Sequence, residues 1–439
     1  MAKVILNEQE FTRQCEESGC SFPMEKTLEA LGQPLTIGKC VLPNRVVYQP
    51  MEGCDGESNG APSVLTRNKY IGFAQAGPAL IWMEATAVCD EGRANPRQLR
   101  LTEENKAEFA RLVYDMKRVA REETGIEPLL ILQLTHSGRQ SKPEGIPAPM
   151  IVYHNAVFEE HTKIPDSCIV TDEYLDALQD QFVEAARLAM ECGFDGVDVK
   201  SCHGYLLGEL MSAYSRPGKY GGSFENRTRF LREVTHRVRQ ILPRGKLLCS
   251  RMSAYDGFPY PWGFGVKDDG SITPDWTEAC TLIKLLEREG VDLIDITMGN
   301  PYVNPHVNRP FAAGSYQPNE APIHGVHRML EGTAWIQSQN PDIPIVCSGL
   351  SYLGAVAPFV AAGYVAAGKF DLAGFGRLTL AYPMLARDIL AGEFDKKQIC
   401  LACSKCTQVM RAGGCAGCVV RNPYYTEEYQ TMRKEGKIQ

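Results

Sequence analysis

Residues 172–200 read DEYLDALQDQFVEAARLAMECGFDGVDVK, and one repeat of the pattern that decides the fold lies inside them. Leu178, Phe182, Ala185 and Ala189 fall on one face of a helix, and Gly193 follows as a stop signal. Residues 196–200 then supply a short branched stretch of the kind that a buried strand presents. Similar strand candidates occur at residues 44–49, 78–83, 129–134, 246–251, 291–297, 343–347 and 370–375, which makes eight in all. Helical stretches separate them. One opens with Thr273 as N-cap and Pro274 in its first turn, then runs through Leu282, Leu285 and Leu286. Eight strand–helix repeats predict an α/β chain of the (β/α)8 TIM-barrel class. A doubly wound sheet is the competing topology, but it would carry a phosphate fingerprint after its first strand, and neither GxGxxG nor a Walker sequence occurs.

Two segments fall outside the repeat. About twenty-five residues precede the first strand region and read as a helical lead-in, within an N-terminal extension spanning 1–33. Residues 137–170 carry four prolines and no clear period, and read as a lid or hairpin over the barrel mouth. The barrel is assigned to 34–393 and a cysteine-rich C-terminal extension to 394–439. Hydrophobic residues make up 44% and charged residues 23% of the 439, a globular balance. A net charge of −7 gives no reason to expect nucleic acid, and no apolar run approaches the ~20 residues that span a bilayer. The N-terminus lacks an export pattern, and eleven cysteines outside the extension, Cys192, Cys249 and Cys347 among them, show no paired spacing. The expectation is a cytoplasmic protein with reduced thiols and no membrane partner.

The extension holds the densest chemistry. Residues 400–418 read CLACSKCTQVMRAGGCAGC, with Cys400, Cys403 and Cys406 spaced C-x2-C-x2-C and then Cys415 and Cys418. Such spacing suits an iron–sulfur cluster, in which each thiolate takes one iron, and so suits one-electron transfer. Cys400 with Cys403 and Cys415 with Cys418 also make two knuckles of a four-cysteine zinc site. Cys406 favours iron–sulfur, because zinc knuckles have no use for a cysteine there.

In a barrel of this class, chemistry sits where strands end and the following loops begin. Those positions hold Pro50, Met51 and Glu52, then Glu84 and Ala85, then Gln133. Lys200, His203 and Tyr205 follow the fourth strand, Arg251 ends the fifth, and residues 300–306 follow the sixth. Ser348 with Gly349 and Gly376 with Arg377 close the last two strands and fit a phosphate site, since glycine lets backbone N–H groups approach an anion. A guanidinium at an inward strand end is costly without an anion, which argues for a ligand at Arg251.

Together these motifs resemble a known family. Residues 195–230, DGVDVKSCHGYLLGELMSAYSRPGKYGGSFENRTRF, are similar to a signature of the Old Yellow Enzyme, or NADH:flavin oxidoreductase, family; so are LPNRVVYQPM, LQLTHSGR and GFGRLTLAYP. With the cysteine tail ending CVVRNP, the chain resembles the branch of 2,4-dienoyl-CoA reductase, 2-enoate reductase and trimethylamine dehydrogenase, over roughly residues 34–423.

The resemblance implies FMN held non-covalently in the barrel and a [4Fe–4S] cluster on Cys400, Cys403, Cys406 and Cys418. It places Pro50, Met51, Glu52 and Ala85 against the flavin, Gln133 on the ring carbonyl and N3 region, and Arg251 by N1 and O2. Ser348, Gly349, Gly376 and Arg377 would hold the phosphate, and Tyr205 would be the proton donor, beside His203 and Lys200. His306 is assigned to the substrate side. Lys200 stands where many members have His, Glu52 where Thr or Cys is common, and the usual NxRxDxYGG run reads YSRPGKYGG, without the Asp. A lysine at the barrel mouth suits an anionic substrate group, unless it pairs with Asp198 or Glu209. Larger relatives continue into nucleotide-binding domains, so the expected partners are a small-molecule substrate and a separate electron-donor protein, a ferredoxin or flavoprotein reductase; a homo-oligomer is compatible. The expected activity is ene reduction. An amine or N-methyl dehydrogenase, or a non-catalytic barrel stapled by zinc, are the alternatives.

Overall fold

The computed structural model describes residues 4–438. Its core is a closed parallel barrel of eight strands: β3 (Val46–Tyr48), β4 (Leu80–Ala87), β5 (Leu129–Thr135), β6 (Gly196–Val199), β7 (Leu247–Ser253), β8 (Leu293–Thr297), β9 (Ile345–Cys347) and β10 (Leu372–Phe375), with β10 paired to β3. Each of the eight strand candidates falls on one of these. Almost every strand residue is buried, because helices cover the outside of a parallel barrel and side chains fill its inside.

The helix Asp172–Glu191 shows why the repeat is legible. Thr171 caps it by accepting the Tyr174 N–H, Asp172 and Glu173 occupy its positive end, and Leu175, Leu178, Phe182 and Ala189 bury its inner face. Gly193 then takes a φ of +87°, a conformation that lets the chain turn into β6.

Two short strands precede the barrel, β1 (Leu35–Ile37) and β2 (Cys40–Leu42), an antiparallel hairpin that the sequence pattern did not reveal. Ile37 and Leu42 pack with Val47, Leu80, Trp82, Leu247 and Leu372, and so plug the end of the barrel opposite its mouth. The lead-in expected before the barrel contains the helix Glu8–Ser18.

Two expectations need correction. The helix after β7 is Thr277–Arg288, not one capped by Thr273. Pro274 pairs with Val266 in an antiparallel bridge and Lys267 N–H donates to Thr273 O, which holds the chain extended until Asp275 accepts from Thr277 N. Residues 137–170 form an insertion, but not a lid: they contribute nothing to the wall of the cavity at the barrel mouth. Arg139 binds Glu209 of the helix Leu206–Met211, and Asn155 Nδ2 donates to Trp262 O at 2.9 Å, which fixes the insertion along the loops after β6 and β7.

The extension adds the helices Lys405–Arg411 and Pro423–Lys434, packed through Val409, Val419, Tyr425, Tyr429 and Met432. It lies at the mouth: Ala416 N–H donates to Gly53 O at 2.7 Å, and Ala312 N–H to Ala402 O at 3.0 Å. Among the described residues, no helix is long and apolar enough to cross a membrane.

Candidate active site at the barrel mouth

The strand ends surround one cavity that opens to solvent. Pro50, Met51 and Glu52 line it from β3, Ala85 from β4, Gln133 from β5, and Lys200, His203 and Tyr205 from the loop after β6. Arg251 enters from β7, Ser348 and Gly349 follow β9, and Gly376 and Arg377 follow β10. His306 does not line it. That residue sits in a single turn, Pro305–Asn308, with its ring edge-on to Tyr316 and Nε2 3.8 Å from Glu320.

At one end the cavity is built for an anion. Nη1 of Arg309 and Nη1 of Arg377 are both buried, and neither finds a hydrogen-bond partner among the described residues. Burial, and then the neighbouring Arg377, push Arg309 down to about 9. Two buried, under-paired guanidinium groups are costly unless a dianion joins them. The backbone there is open: Gly349 has a φ of +90° and a Cβ on it would meet Met329 Cγ at 3.0 Å, while a Cβ on Gly376 would meet Met51 Sδ at 3.1 Å. Arg309 went unnoticed in the sequence; the signal was an arginine closing the proline-rich loop NPYVNPHVNRP.

The middle of the cavity is floored by a buried polar ring. Arg251 Nε lies 3.0 Å from Asp295 Oδ2, and Nη1 lies 3.4 Å from Pro50 O, so a structural ion pair holds a guanidinium that also faces the cavity. Gln49 Nε2 donates to Asp295 Oδ1 at 2.9 Å and to Ser348 Oγ at 2.6 Å. Gln133 Nε2 donates to Asp198 Oδ2 at 2.6 Å, and Trp82 Nε1 to the same oxygen at 2.9 Å. Burial pushes Asp198 up to about 7 and Asp295 up to about 6. Neither carboxylate proposed for Lys200 takes it: Asp198 is held by Gln133, Trp82 and the Arg251 N–H, and Glu209 by Arg139. Lys200 Nζ instead stands 3.8 Å from the centre of the Tyr205 ring.

On another wall of the cavity, Tyr205 Oη donates to Glu52 Oε2 at 3.1 Å and lies 3.0 Å from Tyr302 Oη. Burial drives the Tyr205 phenol well above its ordinary value, and Glu52 adds to it, so the hydroxyl keeps its proton. His203 is held neutral by burial and by the nearby cations Arg251 and Lys200. Its φ of +65°, rare outside glycine, turns the imidazole toward the cavity.

Beside this cavity lies a smaller one, walled by Cys400, Cys403, Cys406 and Cys418 together with Arg377 and Leu380. Cys415 is turned elsewhere, with Arg97 Nη1 donating to its Sγ at 3.1 Å. Among the described residues, no three of His, Cys, Asp and Glu converge closely enough to hold a single metal ion.

A (β/α)8 barrel with an anion cradle at its last two strand ends is the class that binds a phosphate-bearing cofactor in its mouth. The chain belongs to the NADH:flavin oxidoreductase / NADH oxidase family, whose model matches residues 30–395. Membership places it among flavin oxidoreductases, and a flavin mononucleotide, one fused ring system and one phosphate, suits the polar ring and the cradle. Curated relatives include an NADH:flavin oxidoreductase of Gibberella zeae, 30% identical over 61% of this chain and 66% of its own length, and the NADPH dehydrogenase of Bacillus subtilis, 34% identical over 61% and 72%. Among solved structures, a 2-naphthoyl-CoA reductase complex is similar with a TM-score of 0.74 at 21% identity, covering 92% of this chain. Histamine dehydrogenase from Rhizobium sp. 4-9 is similar with a TM-score of 0.69, also at 21% identity and covering 91%. The chain spans 58% of the first and 53% of the second.

Proposed function

We propose that this protein is an FMN- and [4Fe–4S]-dependent oxidoreductase that reduces the activated C=C bond of an enoate or enone. The observation that carries the reading is a shared wall. Cys406, Arg377 and Leu380 border both the cavity at the barrel mouth and the cavity lined by four cysteines. A cluster seated on Cys400, Cys403, Cys406 and Cys418 would lie one residue away from the flavin, within reach for electron transfer. An iron–sulfur cube spreads its thiolates around a cage instead of drawing them to a point, which suits cysteines that share a cavity without converging. On this reading the barrel at 34–393 carries the flavin and the extension at 394–439 carries the cluster.

Bound FMN would supply hydride to the β-carbon of the alkene and accept electrons singly from the cluster. The chain's own residues do the rest. Arg377 and Arg309 pair the phosphate, and Gln133 and Arg251 face the polar edge of the ring. Lys200 and His203 offer a cation and a neutral donor to the carbonyl or carboxylate that activates the alkene. Tyr205 holds the proton for the α-carbon; a phenol that stays protonated at neutral pH is the acid this step requires. The electron donor is read as a separate ferredoxin or flavoprotein reductase.

Anaerobically purified protein should show flavin bands above a broad iron–sulfur absorbance, with four irons per chain and one FMN. Reduced protein should be reoxidised by trans-cinnamate or 2-cyclohexenone, and Tyr205→Phe should slow that step by ~100-fold without releasing FMN. Reduction by trimethylamine or histamine would instead assign an amine dehydrogenase. Colourless protein carrying zinc would leave a stapled barrel. Titration with NADPH, NADH and reduced ferredoxin separates direct reduction from reduction through the extension.

A further inference from the structure

Glu52, Tyr205 and Tyr302 form one hydrogen-bonded chain along the cavity wall, with Tyr205 Oη 3.1 Å from Glu52 Oε2 and 3.0 Å from Tyr302 Oη. Tyr302 is the most exposed of the three at 37%, and Tyr205 is 3% exposed. The rings of the two tyrosines are 6.2 Å apart and tilted by 32°, so their hydroxyls meet at the cavity without stacking.

Proton counting gives this chain a direction. Each phenol has one proton to donate. With Glu52 ionised, Tyr205 must spend its proton on the carboxylate and accept from Tyr302. With Glu52 protonated, the carboxyl can donate to Tyr205, whose own O–H is then free to turn toward the substrate. Asn95 Nδ2, 3.3 Å from Glu52 Oε1, leaves the other oxygen for Tyr205.

We propose that Glu52 is a proton-storing acid that frees and then recharges Tyr205, with Tyr302 linking the pair to water. This rests on the C=C reductase reading. As the α-carbon takes a proton, the Tyr205 O–H bond breaks and the Glu52 carboxyl proton moves to the phenolate oxygen. The Glu52 carboxylate then regains a proton along Tyr205 and Tyr302 from water, so the relay takes one proton from water for each alkene protonated; the second proton of the turnover, carried in the hydride, is taken up when the flavin is reduced. The Lys200 ammonium over the Tyr205 ring stabilises the transient phenolate. Burial raises Glu52 from its ordinary value against the opposing pull of Lys200, the Tyr205 hydrogen bond and Lys69, and burial likewise keeps the neighbouring Cys54 thiol protonated.

Stopped-flow reoxidation of the reduced holoprotein by 2-cyclohexenone, across pH 5 to 9, tests the relay beside an infrared measurement. Wild type should lose rate as pH rises through the Glu52 titration. Glu52→Gln should be at least ~10-fold slower and lack that limb, because an amide donates a hydrogen bond but transfers no proton. Tyr302→Phe should be slowed by a similar factor with FMN retained. Across the same pH range, wild type should show a protonated-carboxyl infrared band that fades in step with the reoxidation rate and that Glu52→Gln removes; a wild type with no such band, or one that fades out of step with the rate, overturns the storage role. Reoxidation slowed in Tyr205→Phe yet within twofold of wild type in both Glu52→Gln and Tyr302→Phe overturns the relay alone. A reduced wild-type flavin that neither 2-cyclohexenone nor trans-cinnamate reoxidises overturns the reductase reading, and the relay with it.

Discussion

Asp256 is a buried carboxyl with no cation against it. It accepts from Ser253 Oγ at 3.0 Å and from Phe264 N–H at 2.9 Å, and burial pushes it up to about 6 from 3.8. A carboxyl whose proton is held more tightly in the folded state favours folding at low pH, and that advantage fades as pH rises through 6. Asn can offer its oxygen to Phe264 N–H and its amide to Ser253, and it never needs to ionise. Asp256→Asn should therefore match wild type in stability at pH 4 and exceed it at pH 8 by up to about 3 kcal/mol, since each tenfold gain in proton affinity on folding is worth about 1.4 kcal/mol. Urea denaturation at both pH values checks this; a variant less stable than wild type at pH 8 would show that the ionised form is well accommodated. Arg251 is the contrasting residue, because Asp295 meets its charge. Its cost argument from sequence pointed to an anion. The anion turns out to be partly internal, and no single-residue reasoning could tell Asp295 from a ligand, since the two residues lie on different strands. Lys200 was open in the same way. Asp198 is occupied by partners from other strands and Glu209 by Arg139 of the insertion, while Arg97, far away in the chain, contacts Cys415 and Cys418 lines the smaller cavity.

The loop after β3 is the element through which extension and barrel meet. Its Gly53 N–H donates to Glu84 Oε2 at 2.5 Å and its carbonyl accepts from Ala416 N–H at 2.7 Å, so the two peptide groups flanking Gly53 are held from opposite partners. Glu84 can reach it because β4 shifts register between Met83 and Thr86, a bulge that re-aims its side chains while Ala85 lines the cavity. Behind it Lys69 Nζ sits 2.5 Å from Glu84 and 3.1 Å from Asp55, all three buried. Lys69→Met would leave two buried carboxyls facing each other without their cation. We expect a loss of about 3–5 kcal/mol in urea denaturation, weaker FMN retention, and recovery of much of the stability on adding Glu84→Gln. Equal stability in the single variant would mean that protonation of Glu84 alone can replace the lysine. None of this network was legible from sequence, since Lys69 lies on an exposed-looking helix and Glu84 on an apolar strand. The barrel was legible for the opposite reason: a parallel strand covered on both faces must be a continuous apolar run, whatever its neighbours are. The β1–β2 hairpin was not, because three-residue strands are too short to show a period, and the Thr277 helix start was displaced by the pairing of Pro274 with Val266 just upstream.

Across the whole molecule, charge is divided between the two parts of the chain. Residues 394–439 hold eight Lys and Arg against four Asp and Glu, in a protein whose net charge is −7. Lys396, Lys397, Arg421, Arg433 and Lys434 are exposed, and Val420, 38% exposed, borders the cysteine cavity. Arg421 Nη2 lies 3.4 Å from Ile399 O, which sets this charge beside the residue preceding Cys400. If electrons enter through the extension, a small acidic carrier would be steered to this positive face and repelled by the rest of the surface. Such steering is screened over about 8 Å at physiological ionic strength. The second-order rate of reduction by an acidic reduced ferredoxin should therefore fall by ~10-fold or more between 20 mM and 500 mM salt. Lys396→Glu with Lys397→Glu should lower the rate at low salt and flatten its salt dependence, while leaving reduction by a photoreduced deazaflavin, a small reductant that needs no docking, unchanged. A salt-independent rate, or a double variant indistinguishable from wild type at low salt, would place the entry of electrons elsewhere, with NADPH reducing the flavin from the open side of the cavity.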